Sequence, residues 1–333
     1  MSALAHAIAL NSTRFVDLDN AASEVESSIL EICADAGPLG AEVRHALGVA
    51  GKRLRSRLAL GWYLLSSGQS LLDETAIQAA AAVELLHEAT LAHDDICDVS
   101  LVRRGQPSVA ARFGVRRAGL CGAWLAGKAI RTLAALCAGL GVAFDGETLR
   151  QLAEGQSEEG LESSDDALSA IQHYFEVIRG KTGALFSLAC TVGSRLGGAS
   201  AGRPVDLGAP RVYADALATA FQVLDDVLDL ESDPRLRRPG CGDLARGVAT
   251  WPALDWIRRS EDPGAAWAEL RRPDKTPDEV LALQARICGS GANDRARLMI
   301  REELWRARRT LLPFEPSCAA AALASLLDDL ARR

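Results

Sequence analysis

Two copies of one acidic pattern are the residues of this chain best suited to chemistry: Asp94-Asp95-Ile96-Cys97-Asp98 and Asp225-Asp226-Val227-Leu228-Asp229. Each follows an apolar run with helical spacing. The first and last carboxylates, at i and i+4, therefore share a face, and the middle one points about 100° away. Carboxylates brought together in this way repel unless cations lie among them. Mg²⁺ meets that need, because it takes a few carboxylates and keeps coordination positions for phosphate oxygens. The pattern predicts a site that holds a diphosphate through metal.

The neighbours of these motifs extend the reading. Helical steps back from Asp98 pass Asp94, Leu91, His87 and Glu84 along one stripe. His87 lies two turns before Asp94 and is thereby a candidate for ligand contact, where a lone histidine on such a stripe would read as structural. Steps back from Asp229 reach Asp225 and then Gln222, an amide able to hydrogen-bond a phosphate oxygen. Cations stand in three places: Arg103-Arg104, Lys181-Thr182 within Arg179-Gly180-Lys181-Thr182-Gly183, and Lys52 with Arg55 within Gly51-Lys52-Arg53-Leu54-Arg55. Lys52 and Arg55, three apart, are expected on one side of a helix. A single basic pair reads as a solvated surface, and Arg116-Arg117 is read so. Two acidic and three basic clusters together fit a site for two diphosphates.

The elements that must position these residues are helices. Apolar residues at helical spacing predict helices over 21–33, 41–66, 74–98, 119–140, 146–160, 167–196 and 211–230, with three more segments after Pro277. Ser163-Ser164-Asp165-Asp166, which offers N-capping side chains before the next helix, and Thr276-Pro277-Asp278-Glu279 are N-cap signals. Gly197-Gly198 is expected to close a helix. Residues 231–249, with Pro234, Pro239, Gly240, Gly242 and Gly247, are not helix-like and predict a mobile flap over bound phosphates.

Composition agrees. The chain has 333 residues, 48% of them hydrophobic but only 5% aromatic, with Ala and Leu abundant. That predicts an all-α fold, with a flexible arm at 1–20 and a single domain over 21–333. A net charge of -7 argues against nucleic acid as a partner. No charge-free apolar run of about 18 residues predicts a membrane span. The eight cysteines form no C-x-x-C pair and have no zinc spacing, which predicts reduced thiols and a cytoplasmic protein.

With these motifs in order, the chain resembles the trans-isoprenyl diphosphate synthases of the polyprenyl synthetase family, the geranylgeranyl diphosphate synthases in particular. The resemblance runs through Gly51–Arg55, His87–Asp98, Arg103-Arg104-Gly105-Gln106-Pro107, Gly155-Gln156, Arg179–Gly183, Phe221–Asp229 and, in degenerate form, Gly242-Asp243-Leu244 to Thr250-Trp251-Pro252. It implies an isoprenoid synthase-type helical bundle with a central cavity, usually homodimeric. It also implies three Mg²⁺ ions and head-to-tail condensation of an allylic diphosphate with isopentenyl diphosphate. By position, Asp94, Asp98 and Asp225 would be the main metal ligands, supported by Asp95, Asp226 and Asp229. Arg103, Lys181, Thr182 and Gln222 would hold the allylic diphosphate. Lys52, Arg55, His87 and Arg104 would hold isopentenyl diphosphate.

Three departures from the family pattern stand out. Val248 replaces a lysine, Gly122-Ala123 replaces Gly-Asp, and a flap lysine is absent, with Arg237 and Arg238 nearby. In the family, bulk just before the first acidic motif limits product length. Ala89 and Thr90 are small there, so a C15 product is not expected. Leu85, Leu86, Trp124 and Arg131 are candidates for a deeper floor, which favours C20 and leaves C25–C35 open. Two other functions remain: a class I terpene cyclase, against which Lys52, Arg55 and His87 argue, and a non-catalytic partner of an active synthase, against which the intact acidic motifs argue.

Overall fold

The computed structural model describes residues 18, 21–49, 51–144, 146–158, 166–232 and 241–333. The expected N-terminal arm, apart from Leu18, and residues 233–240 of the expected flap, Arg237 and Arg238 among them, lie outside the described residues. In chain order the helices are α1 Ala21–Ile32, α2 Gly40–Leu47, α3 Leu54–Ser67, α4 Glu74–Cys97, α5 Val109–Phe113, α6 Val115–Gly139, α7 Glu147–Glu158, α8 Ala167–Ile178, α9 Ala184–Ser200 and α10 Gly208–Leu230. They continue with α11 Gly242–Arg246, α12 Trp251–Arg259, α13 Pro263–Arg271, α14 Pro277–Gly289, α15 Ala292–Arg309 and α16 Cys318–Ala331. One π turn, Arg179–Gly183, joins α8 to α9. The strands found among the described residues are the two-residue pair β1 Val102–Arg103 and β2 Gln106–Pro107, an antiparallel hairpin.

The described residues group into two compact units. The first draws on 1–145, 187–211 and 310–329, and the second on 146–186, 212–309 and 330–333. In the first, α4 is the central helix. Asp73 caps it by accepting from Ala76 N at 2.9 Å, and it packs along α6, α3 and α1. Its middle is Ala-rich and fully buried on all sides, from Ala79 to Leu86, as expected of a helix surrounded by others. Gly193 and Gly197 of α9 lie on the backbone of α3, and a Cβ at either would stand 2.2 Å from the carbonyl oxygen of Ala59 or Tyr63. Gly197 therefore serves close approach and does not end a helix; α9 runs on to Ser200. In the second unit, α12, α13 and α14 close a core of Leu254, Ile257, Trp267, Leu270, Leu283 and Ile287. The predicted capping box at Thr276 and Glu279 is present, and Asp166 caps α8.

Several expectations about helices give way: 167–196 is interrupted by the π turn at Arg179–Gly183, and 231–249, expected to be non-helical, holds the short helix α11. The segment 41–66 is not one helix: it breaks between Leu47 and Leu54, and Arg53 takes φ 50 in the left-handed region. Lys52 thus sits in a loop, exposed, while Arg55 lies in the first turn of α3. The reason is electrostatic. Arg53 is buried against Glu26, Glu84 and Glu88, and holding its guanidinium there bends the backbone out of the helix. α6, for its part, begins at Val115, before Gly119. It is long and apolar enough to cross a membrane by length and composition alone. Yet Lys128 in its middle is buried and ion-paired with Asp35, and one flank packs on α4. The basic pair read as surface, Arg116-Arg117, is exposed, and Arg117 is also bonded to the buried Glu42.

Candidate active site

In the first unit, the first acidic motif occupies the last turn of α4, where Asp98 is the C-cap and donates its N–H to Asp94 O at 2.8 Å. The three carboxylates have different surroundings. Asp94 is half-buried and Asp98 exposed, whereas Asp95 is buried. Asp95 Oδ1 accepts from Arg103 Nε at 3.0 Å and Nη2 at 2.5 Å. Arg103 and Arg104 come from the β1–β2 hairpin, which Ser108 pins by donating to Ser100 O at 2.7 Å. Arg104 reaches the other way, with Nη1 donating to Val49 O at 2.7 Å and to Glu88 Oε1 at 3.0 Å.

Around His87 the field is strongly positive. Arg55 is held down to about 10, first by burial, with Arg104 acting in the same direction and Glu84 and Glu88 opposing. Burial, then the Arg55, Arg104, Arg103 and Arg53 guanidiniums, hold His87 well below the usual imidazole value. His87 is therefore neutral at pH 7. Its Nδ1 is buried with no hydrogen-bond partner among the described residues. A neutral imidazole among guanidiniums offers a hydrogen bond, not a charge, to an anion. One turn on, Ala89 is buried, and Thr90 donates its hydroxyl to His87 O at 2.8 Å. Leu85 and Leu86 are buried, Trp124 is half-buried with Lys128 Nζ over its ring, and Arg131 is exposed.

In the second unit, the second motif ends α10. Asp225 is half-buried, and Asp226 and Asp229 are buried. Asp226 is again the carboxylate committed to protein donors. Tyr174 hydroxyl donates to Oδ2 at 2.6 Å, Trp251 N to Oδ2 at 3.1 Å, and Gln222 Nε2 to Oδ1 at 3.1 Å. Asp229 Oδ2 accepts from Asp243 N at 3.2 Å. Thr182 hydroxyl donates to Gln222 Oε1 at 3.2 Å, so a chain of hydrogen bonds runs from Thr182 through Gln222 to Asp226. Lys181 and Thr182 lie in the π turn, a form common where backbone is displaced for function. The turn presses on α7: an added Cβ at Gly155 would lie 2.6 Å from Gly180 C and 2.7 Å from Lys181 N. Val248 is exposed.

Asp226 carries a testable electrostatic signature. Burial raises its carboxyl from 3.8 to about 7, against the pull of Tyr174, Trp251 N and Gln222. The folded state then binds a proton that the unfolded state has released. The contribution to stability is full below the unfolded value and is lost as pH rises through about 7. In chelator-treated protein, the stability of wild type should fall between pH 5 and 8 by on the order of a few kcal/mol. Asp226→Asn, which cannot ionise, should flatten that slope in urea titrations; an equal slope in both proteins would contradict it.

Residues in this set that the sequence did not signal are Glu88 and Tyr174, whereas Gly155 and Trp251 entered only through the motifs of the resemblance, without a contact assigned to them. Tyr174 and Trp251 meet Asp226 from sequence distances of 52 and 25, so no local pattern betrays them. Glu88 had one visible mark, an acidic residue within an apolar run one turn after Glu84.

Comparison with known proteins gives the class first. The fold is that of the all-α isoprenoid synthases. A polyprenyl synthase from Caulobacter crescentus, solved with calcium and isoprenyl diphosphate, superposes with a TM-score of 0.81 at 29% identity, over 96% of this chain and 97% of that one. Residues 38–285 match the polyprenyl synthetase family. A nonaprenyl diphosphate synthase of Mycobacterium tuberculosis is 32% identical over 288 residues, 85% of this chain and 83% of the relative. A geranylgeranyl diphosphate synthase of Sulfolobus acidocaldarius is 33% identical over 245 residues, 70% of this chain and 72% of the relative. The chain belongs to the polyprenyl synthetase family and is a trans-prenyltransferase, an isoprenyl diphosphate synthase.

Proposed function

We propose that this enzyme joins isopentenyl diphosphate head-to-tail to an allylic diphosphate, with Mg²⁺ as cofactor, and releases a linear polyprenyl diphosphate of C20. The observation that carries the reading is the parallel division of labour in the two acid motifs. The middle carboxylates, Asp95 and Asp226, are buried and held by protein donors, and Asp94, Asp98 and Asp225 are the more accessible ones, which solvent and metal can reach. Among the described residues, no three His, Cys, Asp or Glu side chains gather around one point. Such a donor set fits Mg²⁺, a hard ion that takes one or two carboxylates and draws its remaining ligands from water and substrate phosphate. Asp229 supports the second motif from its buried position, and three ions are the number the family resemblance implies. When bound, the ions supply positive charge that stabilises the diphosphate as its bond to the allylic carbon breaks.

The residues of the chain do the rest. Lys181, Thr182, Gln222 and Arg103 bind and orient the allylic diphosphate. Lys52, Arg55, Arg104 and neutral His87 receive isopentenyl diphosphate. Buried apolar side chains near Ala89 exclude water that would quench the allylic cation. The double bond of isopentenyl diphosphate attacks that cation, and the departed diphosphate takes the final proton, so no protein base is required. A homodimer is the assembly we favour, and the free thiols support a reducing, cytoplasmic setting.

Incubation with Mg²⁺, isopentenyl diphosphate and each allylic primer tests this directly. A C20 diphosphate is the expected product, and Ala89→Phe should shorten it to C15 or less, because the ring fills the space beside the growing tail. Hydrocarbon from one allylic substrate alone would identify a cyclase, and no turnover without a second chain would identify a partner subunit. The relatives span geranylgeranyl and nonaprenyl products, so mass spectrometry of the product decides the length.

A further inference from the structure

Glu88 is a buried carboxylate in the middle of α4, 4% exposed, with no place in the roles assigned above. It touches two guanidiniums. Arg104 Nη1 donates to its Oε1 at 3.0 Å, and Arg53 Nη1 lies 3.6 Å from the same oxygen. The two contacts differ in kind. Arg53 has two further carboxylates, Glu26 and Glu84, and its charge is met without Glu88. Arg104 has no other acidic partner among the described residues. Its Nη1 is fixed by Glu88 and Val49 O, and its Nε and Nη2 make no hydrogen bond among the described residues. That second edge lies beside Gly51, where an added Cβ would stand 2.7 Å from Nη2 and 3.2 Å from Cζ. Glycine leaves clear the side of the guanidinium next to Lys52. A planar guanidinium with one edge anchored and the other open is pre-organised for two-point binding of a phosphate.

We propose that Glu88 is a positioning residue for isopentenyl diphosphate: it anchors the Nη1 edge of Arg104 so that the Nε–Nη2 edge meets the diphosphate. This rests on the placement of isopentenyl diphosphate at Arg104 given above. The contribution is orientational. Glu88 carries the same sign as the substrate, so its charge alone would weaken binding, and its benefit must come from holding the guanidinium still.

That opposition makes the test sharp. Glu88→Met keeps the bulk and helix preference of the side chain but removes the acceptor oxygen; Glu88→Gln keeps an acceptor and removes the charge. Steady-state kinetics of both should be read beside Arg104→Ala, with thermal unfolding as the check on folding. For Glu88→Met the KM for isopentenyl diphosphate should rise about tenfold, as expected for one charge-assisted hydrogen bond lost. Its kcat and the KM for the allylic substrate should stay within about twofold, and Glu88→Gln should restore the isopentenyl KM to within about threefold of wild type. Should Glu88→Met not fold, Glu88→Ala replaces it with the same expectation. A KM for isopentenyl diphosphate that is unchanged or lower in Glu88→Met, with a raised value in Arg104→Ala, overturns the role of Glu88 and leaves the substrate site standing. Equal loss in the Gln and Met variants also overturns it, since an acceptor oxygen at this position would then not be what holds the guanidinium. An unchanged value in Arg104→Ala removes the substrate site itself, and the role of Glu88 with it.

Discussion

Asp94→Ala should lower turnover at least about 10³-fold, or about 4 kcal/mol of transition-state stabilisation, while thermal unfolding stays within a few degrees of wild type. Asp94 is half-buried at the end of α4, and the helix is held by its buried middle, so removal of this carboxylate costs little packing. In the proposed role it would hold a metal ion, which acts on charge that develops only as the carbon–oxygen bond breaks. Asp225→Ala should behave alike in the second motif. The middle carboxylates give the contrast. Asp95→Ala strips a buried acceptor from Arg103 and should cost about 1–3 kcal/mol of folding stability as well as activity. Turnover and urea denaturation, measured on Asp94→Ala and Asp95→Ala together, decide the matter. Near-normal activity in Asp94→Ala refutes the metal assignment, and equal stability loss in both variants refutes the division between outer and middle carboxylates.

Gly155→Ala is the second large effect, and its sign is unusual. Alanine in place of glycine within a helix ordinarily stabilises by roughly 0.5–1 kcal/mol. Here the methyl group would stand 2.6 Å from Gly180 C and 2.7 Å from Lys181 N. Both are backbone atoms, which cannot rotate away, so α7 and the π turn must separate. Lys181 and Thr182 then shift with the turn, and a displacement near 1 Å at a binding group costs about 10²-fold in rate. We expect kcat/KM for the allylic diphosphate to fall about 10²-fold, with a stability loss of about 1–3 kcal/mol from overpacking. A substrate-specific loss is the diagnostic part, because general loosening would raise both KM values together. A variant as stable and active as wild type would mean that the two backbones separate freely.

Much of the local structure was legible as pattern. The capping signals before Ala167 and at Thr276 are local features, and local features survive folding. The break at Lys52 was not legible. Residues 41–66 have the composition of one helix, but burial of Arg53 among Glu26, Glu84 and Glu88 overrides that preference, and two of those three lie about 30 residues away in sequence. Gly197 misled for a related reason: a glycine pair has the same spelling whether it ends a helix or admits a neighbouring backbone.

What the order of residues settled alone is the reaction class. Two Asp-Asp-x-x-Asp motifs with basic clusters at these spacings specify diphosphate chemistry through side-chain types and helical periodicity, which require no knowledge of long-range contacts. Tertiary structure decided the surroundings of each carboxylate. Within each motif the aspartates are chemically identical, and only packing distinguishes them. Arg103 claims Asp95, and Tyr174, Gln222 and the Trp251 amide claim Asp226. The difference in surroundings follows from burial, because a carboxylate withdrawn from water must find its donors in the protein.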